Sequence, residues 1–166
     1  MVRQLIVMSY LIDMILYGEN KMEFKDEYWF LNTMCETPIK YGDLTYRNVE
    51  AAFQAQKCPD RAIEFINLKG FEARKLGRTI KPRKDWNDVK EPIMLELLEI
   101  KFSRRKYRKK LLRTEDEEII YDNNWKDTFW GRYDGEGENV LGKLIMSIRD
   151  KLQNSKLAPT EPKDII

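Results

Sequence analysis

Histidine is entirely missing from the 166-residue sequence. Its absence excludes histidine general bases, Ser-His-Asp and Cys-His catalytic arrangements, and histidine metal ligands. The two cysteines, Cys35 and Cys58, are too few for a disulfide framework or a four-cysteine zinc site. We therefore expect both cysteines to be ordinary small core residues, and we expect neither a resident metal nor a cofactor.

The sequence also lacks an excess of charge of one sign and a long hydrophobic run. Its 30 basic and 28 acidic residues nearly cancel, so no global field favours nucleic acid or a membrane surface. Residues 1–16 are apolar, but polar residues interrupt them, no small-residue cleavage site follows, and the run is too short to cross a bilayer. We expect a cytoplasmic protein with no membrane partner.

The length and the plentiful aromatic residues suit one globular domain. Two β-prone arms, 39–41 and 44–46, flank the turn residues Gly42 and Asp43 and predict a hairpin. The sequence predicts a helix-rich α+β fold in which short N-terminal strands pack on several helices. We assign residues 14–152 to this domain, 1–13 to an N-terminal extension and 153–166 to a loosely held C-terminal tail.

Further elements follow from local patterns. Short strand-like or irregular segments are predicted at 14–17, 21–24, 28–32 and 118–121. Helices are predicted after Asn48, after Pro59 with Ile63 and Ile66 on one side, and over 71–76 with Gly77 as its C-terminal cap. The longest helix is predicted to begin at Asp85 or Asn87 and to continue through 101–113, and the last helix is predicted to follow an Asn139 cap.

The helix that starts at Asn48 carries a polar stripe. Glu50, Gln54 and Lys57 are spaced i, i+4, i+7 and fall within a narrow arc, beside apolar side chains. One interpretation is a solvated polar face. The other is a face that lines a pocket, with Glu50 as acid or base and Lys57 as nucleophile or anion clamp.

Two further regions allow alternative interpretations. The basic run 101–113 is either a solvated helix face or a surface that follows phosphates, because it interleaves cations with aromatic residues. The loop 127–139 is either an ordinary connection or a ligand loop. In the second case Trp130 would offer a stacking face, and free amides at Asn139 would hold an anionic group.

The combination and order of scattered motifs resemble the NADAR superfamily, which is linked to NAD and ADP-ribose chemistry. The similarity covers roughly residues 14–152. One departure is Ala51, which stands where the family usually has a histidine. The matching motifs are Phe30-Leu-Asn32, 49–57, Leu76-Gly-Arg78, Trp86, Met94, Lys101-Phe102, Leu112-Arg-Thr114, Asp127-Thr-Phe-Trp-Gly131, Asn139-Val-Leu-Gly142, Leu144-Ile-Met146 and Arg149.

The resemblance implies N-glycosidase activity, with cleavage between a ribosyl C1 and an amine. The implied substrates are phosphorylated riboflavin-pathway intermediates or ADP-ribosylated guanine, free or in nucleic acid. The essential residues of the family correspond here to Glu50, Trp86 and Asp127, and its motif lysine corresponds to Lys57. On the same basis we expect substrate contacts from Asn32, Gln54, Arg78, Trp130, Gly131 and Asn139.

The chemistry of this bond agrees with that set of residues. Cleavage needs a proton for the departing nitrogen and a carboxylate to stabilise the cationic sugar carbon. A lysine can form a Schiff base with the opened sugar only when its amine is neutral, which requires burial or a cationic neighbour. The alternative from another functional class is a non-catalytic module that binds ADP-ribose, NAD or nucleic acid.

Overall fold

The computed structural model describes residues 24–157, which fold as a single helix-rich domain with one two-stranded sheet. The predicted α+β class is confirmed. The predicted strand 14–17, most of 21–24 and the extension 1–13 lie outside the described residues. The elements are 3₁₀ helix η1 (Asp26–Leu31), β1 (Ile39–Tyr41), β2 (Leu44–Tyr46), α1 (Val49–Ala55), η2 (Pro59–Phe65), α2 (Gly70–Gly77), α3 (Trp86–Ser103), α4 (Arg105–Leu112) and α5 (Val140–Leu157).

Helix α1 lies at the centre of the fold. Asn48 caps it as predicted, because its Oδ1 accepts a hydrogen bond from the Ala51 backbone N–H at 2.8 Å. All seven residues of α1 are buried, and α2, η2, α3 and both strands pack around them. Two of the seven are polar, Glu50 and Gln54. Their burial requires hydrogen-bond partners from neighbouring elements.

The hairpin forms as predicted. β1 and β2 are antiparallel, with Ile39 opposite Tyr46. Gly42 in the turn has a φ of +59°, a backbone conformation that glycine adopts at little cost. Both Ile39 and Tyr46 are buried, and they pack the small sheet against the helices.

The predicted continuous helix through 101–113 is wrong. Helix α3 ends at Ser103, Arg104 has an extended conformation, and α4 begins at Arg105. The break redirects α4 so that Tyr107 and Leu111 are buried, and α4 packs against η1, α3 and α5. The Arg104 guanidinium donates a hydrogen bond to the Pro38 carbonyl, which fixes the turn between the two helices.

Several local predictions are corrected as well. Residues 26–31 form the 3₁₀ helix η1, where a strand-like or irregular segment was predicted at 28–32, and its Phe30 and Leu31 are buried. The segment after Pro59 is the 3₁₀ helix η2. Its threefold period buries Ala62 and Phe65. The same period keeps Ile63 and Ile66 on one side as predicted, but Ile63 is exposed and Ile66 only partly buried, so that side is not the core face.

Gly77 is the last residue of α2 and does not act as a left-handed cap, since the capping residue is Arg78 in a right-handed helical conformation. A Cβ atom at Gly77 would collide with the Gln54 side-chain oxygen. Glycine is therefore needed here for the close approach of α2 to α1. Among the described residues, no strand forms at 118–121, where the backbone instead bonds to the Asn139 side chain.

Helix α5 follows Asn139 directly and buries Leu141, Ile145 and Ile148, three residues of its predicted apolar stripe. It continues to Leu157, five residues beyond the predicted end of the domain. Within residues 24–157, no helix has the length and apolarity needed to cross a membrane.

Candidate active site

A cavity of about 200 Å³ opens beside α1. It is walled by α1, α2, the start of α5 and the loop between 121 and 130. Six of the predicted site residues line it: Glu50, Gln54, Lys57, Arg78, Asp127 and Trp130. The other lining residues are Thr33, Phe53, Arg74, Met94, Tyr121, Trp125 and Leu141. The polar stripe of α1 therefore faces a pocket rather than solvent.

The Glu50 carboxylate is buried and accepts four hydrogen bonds. Oε2 accepts one from the Thr33 hydroxyl at 2.7 Å and one from Arg74 Nη2 at 3.0 Å. Oε1 accepts one from Gln54 Nε2 at 2.9 Å and one from Arg74 Nε at 3.2 Å. Thr33, Gln54 and Arg74 thus hold the carboxylate in one orientation. The positive charge of the Arg74 guanidinium balances the negative charge of the carboxylate.

These contacts determine the protonation state of Glu50. Burial alone raises the pKa of this carboxyl group, but attraction to Arg74 and hydrogen bonds from Arg74, Thr33 and Gln54 outweigh burial, so the pKa is lower than usual. Glu50 is therefore ionised at neutral pH. Its fixed negative charge lies on the wall of the cavity.

Lys57 lies one turn beyond Gln54, and its Nζ donates a hydrogen bond to the Gly77 carbonyl at 3.2 Å. Burial lowers the pKa of the Lys57 amine, Glu50 opposes this effect, and the nearby cations Arg78 and Arg74 lower the pKa further. The net shift is downward. A larger fraction of Lys57 is therefore neutral at pH 7 than for a lysine in water, which a nucleophilic amine requires.

Asp127 differs from Glu50 in how its oxygens are used. Oδ1 accepts hydrogen bonds from the backbone N–H groups of Phe129 at 3.1 Å and Trp130 at 2.9 Å. Asn123 holds the backbone of Asp127 at both its N–H and its carbonyl. Within residues 24–157 the other oxygen, Oδ2, accepts no hydrogen bond. Asp127 therefore combines a fixed side chain with one oxygen available to a ligand.

An aromatic cluster forms the apolar wall. The Phe53 ring lies 5.4 Å from Trp130 in an edge-to-face contact and 5.0 Å from Trp86. Phe53 and Trp130 line the cavity, whereas the half-buried Trp86 lies behind Phe53 and outside the lining. The resemblance implies an essential role for Trp86. In this geometry Trp86 contacts Phe53, a lining residue of the cavity, and so can act through the position of Phe53.

Three predicted substrate contacts lie outside this cavity. The Asn32 amide oxygen accepts a hydrogen bond from the Met34 N–H, and Asn32 lines an adjacent cavity instead. Gly131 is packed so closely against Tyr121 that a Cβ atom would overlap the Tyr121 carbonyl. The buried Asn139 side chain bonds to the backbone of Ile119 and Tyr121 at 2.9 Å each and so holds the loop. The predicted free amides at Asn139 are not available to an anion, because the backbone N–H groups of residues 139–141 donate to the carbonyls of Gly131, Phe129 and Trp130.

The sequence analysis missed Arg74, Tyr121 and Thr33. Arg74 binds Glu50 and also donates a hydrogen bond to the Tyr121 hydroxyl at 3.4 Å. A signal for Arg74 was available, because it precedes Arg78 by four residues and so lies on the same face of α2. Thr33 comes from the irregular segment after η1, and no periodic pattern in the sequence indicates that it reaches Glu50.

The basic run divides into two parts. Lys101 is fully buried, and its Nζ donates a hydrogen bond to the Asn32 carbonyl at 2.7 Å, so it cannot reach a phosphate as the sequence had suggested. The basic residues of α4 and its flanks are mostly exposed. Within the described ranges, no group of three or more Cys, Asp or Glu side chains is placed to hold a metal ion.

Comparisons with known proteins decide the family. A sequence profile described as the NADAR domain matches residues 17–153. The chain belongs to this family. Its relatives include "N-glycosidase YbiA" of Escherichia coli (strain K12), 31% identical over 137 residues that cover 79% of this chain and 86% of the relative. Another is "N-glycosidase Npun_R5314" of Nostoc punctiforme, 38% identical over 126 residues that cover 70% and 80%.

The fold agrees with this assignment. The NMR structure of the E. coli protein YbiA superposes with a TM-score of 0.75 at 29% identity, covering 87% of this chain and 92% of that chain. A third relative is "Riboflavin biosynthesis protein VVA0006" of Vibrio vulnificus, 29% identical over 77% of this chain but only 36% of the relative. The predicted NADAR family and the predicted enzyme class, N-glycosidase, are thereby confirmed.

Proposed function

We propose that this NADAR protein hydrolyses the bond between a ribosyl C1 and an amine nitrogen in a phosphorylated ribosyl substrate. The substrate is a riboflavin-pathway intermediate or ADP-ribosylated guanine. One observation carries the proposal: an ionised Glu50, an Asp127 with one free oxygen and a Lys57 of lowered pKa line the same cavity. N-glycoside cleavage uses a group that transfers protons and a carboxylate that stabilises positive charge, and an amine of lowered pKa adds a covalent route.

The two carboxylates have different tasks. Glu50 has all its hydrogen-bonding positions filled and stays ionised, so it is suited to stabilise positive charge on C1 and poorly suited to transfer protons. Within residues 24–157, Asp127 Oδ2 accepts no hydrogen bond, and the side chain is held rigidly through Oδ1. We assign to Asp127 the proton transfers to the leaving nitrogen and from water.

Lys57 supports a covalent route. When the ribose ring opens, C1 is joined to the leaving nitrogen as an imine. The neutral Lys57 amine adds to C1, the original amine departs with a proton, and C1 remains as an imine of Lys57. Water then adds to this imine and releases the lysine and the free sugar aldehyde. The balance is one water consumed for each amine released.

Arg78 is the natural contact for the phosphate. It is exposed at the edge of the cavity, and among the described residues no hydrogen bond or ion pair involves its side chain. Arg74 is by contrast committed to Glu50. Gln54 lines the cavity and donates a hydrogen bond from Nε2 to Glu50, while its Oε1 is buried against Gly77. We therefore assign to Gln54 the positioning of the Glu50 carboxylate.

The test is release of free base over time from a panel of ribosyl N-glycosides, measured with matched variants. Asp127→Asn preserves the acceptor for the two backbone N–H groups but cannot exchange a proton, so we expect kcat to fall about 10²–10⁴-fold. Glu50→Gln preserves shape but removes the charge, and we expect a comparable fall. Wild-type rates in a folded Asp127→Asn protein would show that Asp127 takes no part in proton transfer and only holds the loop.

A non-catalytic binding module is the second candidate. It is favoured by one observation: residues 104–113 carry seven cations and no acidic residue, on a helix that packs at the surface. Such a module would retain ADP-ribose, NAD or nucleic acid without changing it. The same panel separates the candidates, because a binding module gives no free base at any time point.

A further inference from the structure

Lys101 is a buried cation that the proposed reaction does not use. Its side chain has no exposed surface, and its Nζ donates a hydrogen bond to the Asn32 carbonyl at 2.7 Å. Within residues 24–157 this carbonyl is its one hydrogen-bond partner, and no carboxylate pairs with it. The Phe102 and Tyr107 rings lie 5.5 and 5.6 Å from Nζ, near the outer limit of a cation–π contact. The charge of the ammonium is therefore compensated only in part.

The burial of Lys101 does not favour stability. A buried ammonium loses its hydration, and one carbonyl with two distant rings replaces only part of it. An apolar side chain of similar length would fill the same space without that cost. Unfavourable groups of this kind are expected where a protein gives up stability for a local geometry that function needs. The role of Lys101 is therefore expected to depend on what the Asn32 carbonyl is connected to.

The Asn32 carbonyl belongs to the same peptide plane as the Thr33 nitrogen. Thr33 in turn contacts Glu50 twice. Its hydroxyl donates a hydrogen bond to Oε2 at 2.7 Å, and its carbonyl accepts one from the Glu50 backbone N–H at 3.0 Å. A movement of this peptide plane would therefore disturb both contacts to Glu50 together.

Residues 32–38 form an irregular segment between η1 and β1. Two of its hydrogen bonds stay within it, from the Met34 N–H to the Asn32 side chain at 2.9 Å and from the Cys35 N–H to the Asn32 carbonyl at 3.1 Å. These two bonds fix the local shape of the segment and not its position relative to α1. Lys101 joins the segment to α3, a long helix that itself packs against α1.

We propose that Lys101 is a positioning residue for the Glu50 carboxylate, because it holds the peptide between Asn32 and Thr33 in place beside α1. It is fully buried and does not line the catalytic cavity, so it contacts neither the substrate nor the reacting atoms. Without Lys101, the Thr33 hydroxyl moves away from Oε2 and the carboxylate loses part of its fixed orientation towards C1. This inference rests on the proposed function, because it concerns the carboxylate that stabilises C1.

The kinetic test compares Lys101→Met, Thr33→Val and the double variant of the full chain. Thr33→Val removes the hydroxyl and keeps the branched shape of the side chain. We expect each single substitution to lower kcat about 10- to 100-fold with KM nearly unchanged, as for a misplaced catalytic group. The double variant should be no slower than the slower single variant, because both substitutions break the same chain of contacts. Losses that multiply in the double variant would show that Lys101 acts by another route, and would overturn the inference.

The crystal structure of Lys101→Met tests the geometry without a substrate. We expect the distance between Thr33 Oγ1 and Glu50 Oε2 to increase from 2.7 Å to beyond ~3.5 Å, outside hydrogen-bonding range. An unchanged contact would overturn the inference. Because this measurement needs no turnover, it decides the inference even if no substrate releases base, and that second result would count against the proposed function alone.

Melting curves at pH 7 separate a positioning role from a structural one. We expect Lys101→Met to melt at the same temperature as wild type or at a higher one while its kcat falls, because the substitution removes an uncompensated buried charge. Lys101→Leu repeats the comparison with a second apolar side chain, so the result does not depend on the folding of one variant. A melting temperature that falls together with kcat in both variants would make Lys101 a structural residue and overturn the inference.

Arg149→Met is the matched control. Arg149 is also a buried cation, 4% exposed, that donates a hydrogen bond to a backbone carbonyl, that of Glu117 at 2.8 Å. It lies on α5 and does not line the catalytic cavity. We expect Arg149→Met to lower the melting temperature and to leave kcat of the folded protein unchanged. A loss of kcat equal to that of Lys101→Met would show that the effect is not specific to the contact with Asn32, and would overturn the inference.

Discussion

Arg74 binds the Glu50 carboxylate with two hydrogen bonds, from Nε to Oε1 at 3.2 Å and from Nη2 to Oε2 at 3.0 Å. The pair joins α2 to the buried face of α1, the central helix of the fold. A carboxylate in that position would be protonated without a partner, because burial disfavours its charge. Arg74 therefore keeps the Glu50 carboxylate ionised at the wall of the cavity. Arg74 also lowers the pKa of the Lys57 amine.

The pair makes stability depend on pH in a defined direction. The pKa of Glu50 is lower in the folded protein than in the unfolded chain, so its stabilising contribution is complete above about pH 4.5 and is lost as pH falls through the folded pKa. We expect the difference in free energy of unfolding between wild type and Glu50→Gln to shrink steadily below pH 4.5. Urea denaturation at pH 7, 5, 4 and 3 measures it.

Glu64→Gln provides the control for this measurement. Glu64 also pairs with an arginine, Arg61, through two hydrogen bonds, but both side chains are exposed. Exposed pairs contribute little to stability, so we expect almost no effect of this substitution at any of the four pH values. A wild-type minus Glu50→Gln difference that stays constant from pH 7 to pH 3 would contradict the lowered pKa of Glu50.

Lys57 is expected to form a transient imine with the sugar C1. Borohydride added during turnover would reduce this imine to a stable secondary amine, and mass spectrometry would locate the adduct on the peptide that contains Lys57. Lys57→Arg should abolish the adduct and most of the activity, because an arginine keeps the charge but is never neutral. Full activity of Lys57→Arg without a trapped adduct would identify the lysine as a phosphate contact, with water attacking C1 directly.

Trp86 is expected to affect catalysis through Phe53. Its ring packs 5.0 Å from Phe53, which in turn lines the cavity, and Trp86 itself does not. In Trp86→Phe we expect kcat to fall about 10- to 100-fold through misplacement of Phe53, with KM nearly unchanged. Steady-state kinetics with a melting curve gives both values. A raised KM at unchanged kcat would show that the indole contacts the substrate directly.

The sequence predicted the α1 side of the site well and the remainder poorly, for physical reasons. Glu50 and Gln54 lie on α1, and Lys57 lies in the turn directly after Ala55, so their spacing of four and three residues was enough to place them on one side of the chain. Asp127 came from the family resemblance, whereas Trp130 was also indicated by the pattern of the loop 127–139. Arg74 and Thr33 meet Glu50 through tertiary packing, which no local period encodes.

The fold shows the same difference between local sequence and tertiary packing. The hairpin and the Asn48 cap depend on neighbouring residues in the sequence, and both were predicted correctly. The break at Arg104 depends on the burial of Tyr107 and Leu111 against other helices, so a helical pattern that runs through 101–113 conceals it. Asn139 was placed correctly before α5, but its side chain bonds to a distant loop segment that only the folded chain brings near.

Lys101 provides a second pH-dependent prediction, of opposite sign. It is fully buried, and burial lowers its pKa to about 8, although the nearby Cys35 opposes the shift. Its one hydrogen-bond partner among the described residues is the Asn32 carbonyl. Between pH 8 and 10.5 the unfolded chain holds a proton that the folded protein has released, so this residue makes the folded state more stable as pH rises.

Lys101→Met isolates this effect, because methionine fills a similar volume without a charge. We expect wild type to gain about 3 kcal/mol relative to Lys101→Met between pH 7.5 and 10.5, from roughly 1.4 kcal/mol per unit of pKa shift. Tyrosines titrate over the same range, but they are identical in both proteins and cancel in the difference. We expect Lys101→Met to be as stable as wild type or more stable at pH 7, because an apolar side chain removes the cost of burying a cation. Guanidinium denaturation of both proteins at pH 7.5, 9 and 10.5 gives the differences. A difference that does not change with pH would show that Lys101 keeps its ordinary pKa and that the Asn32 carbonyl compensates fully for burial.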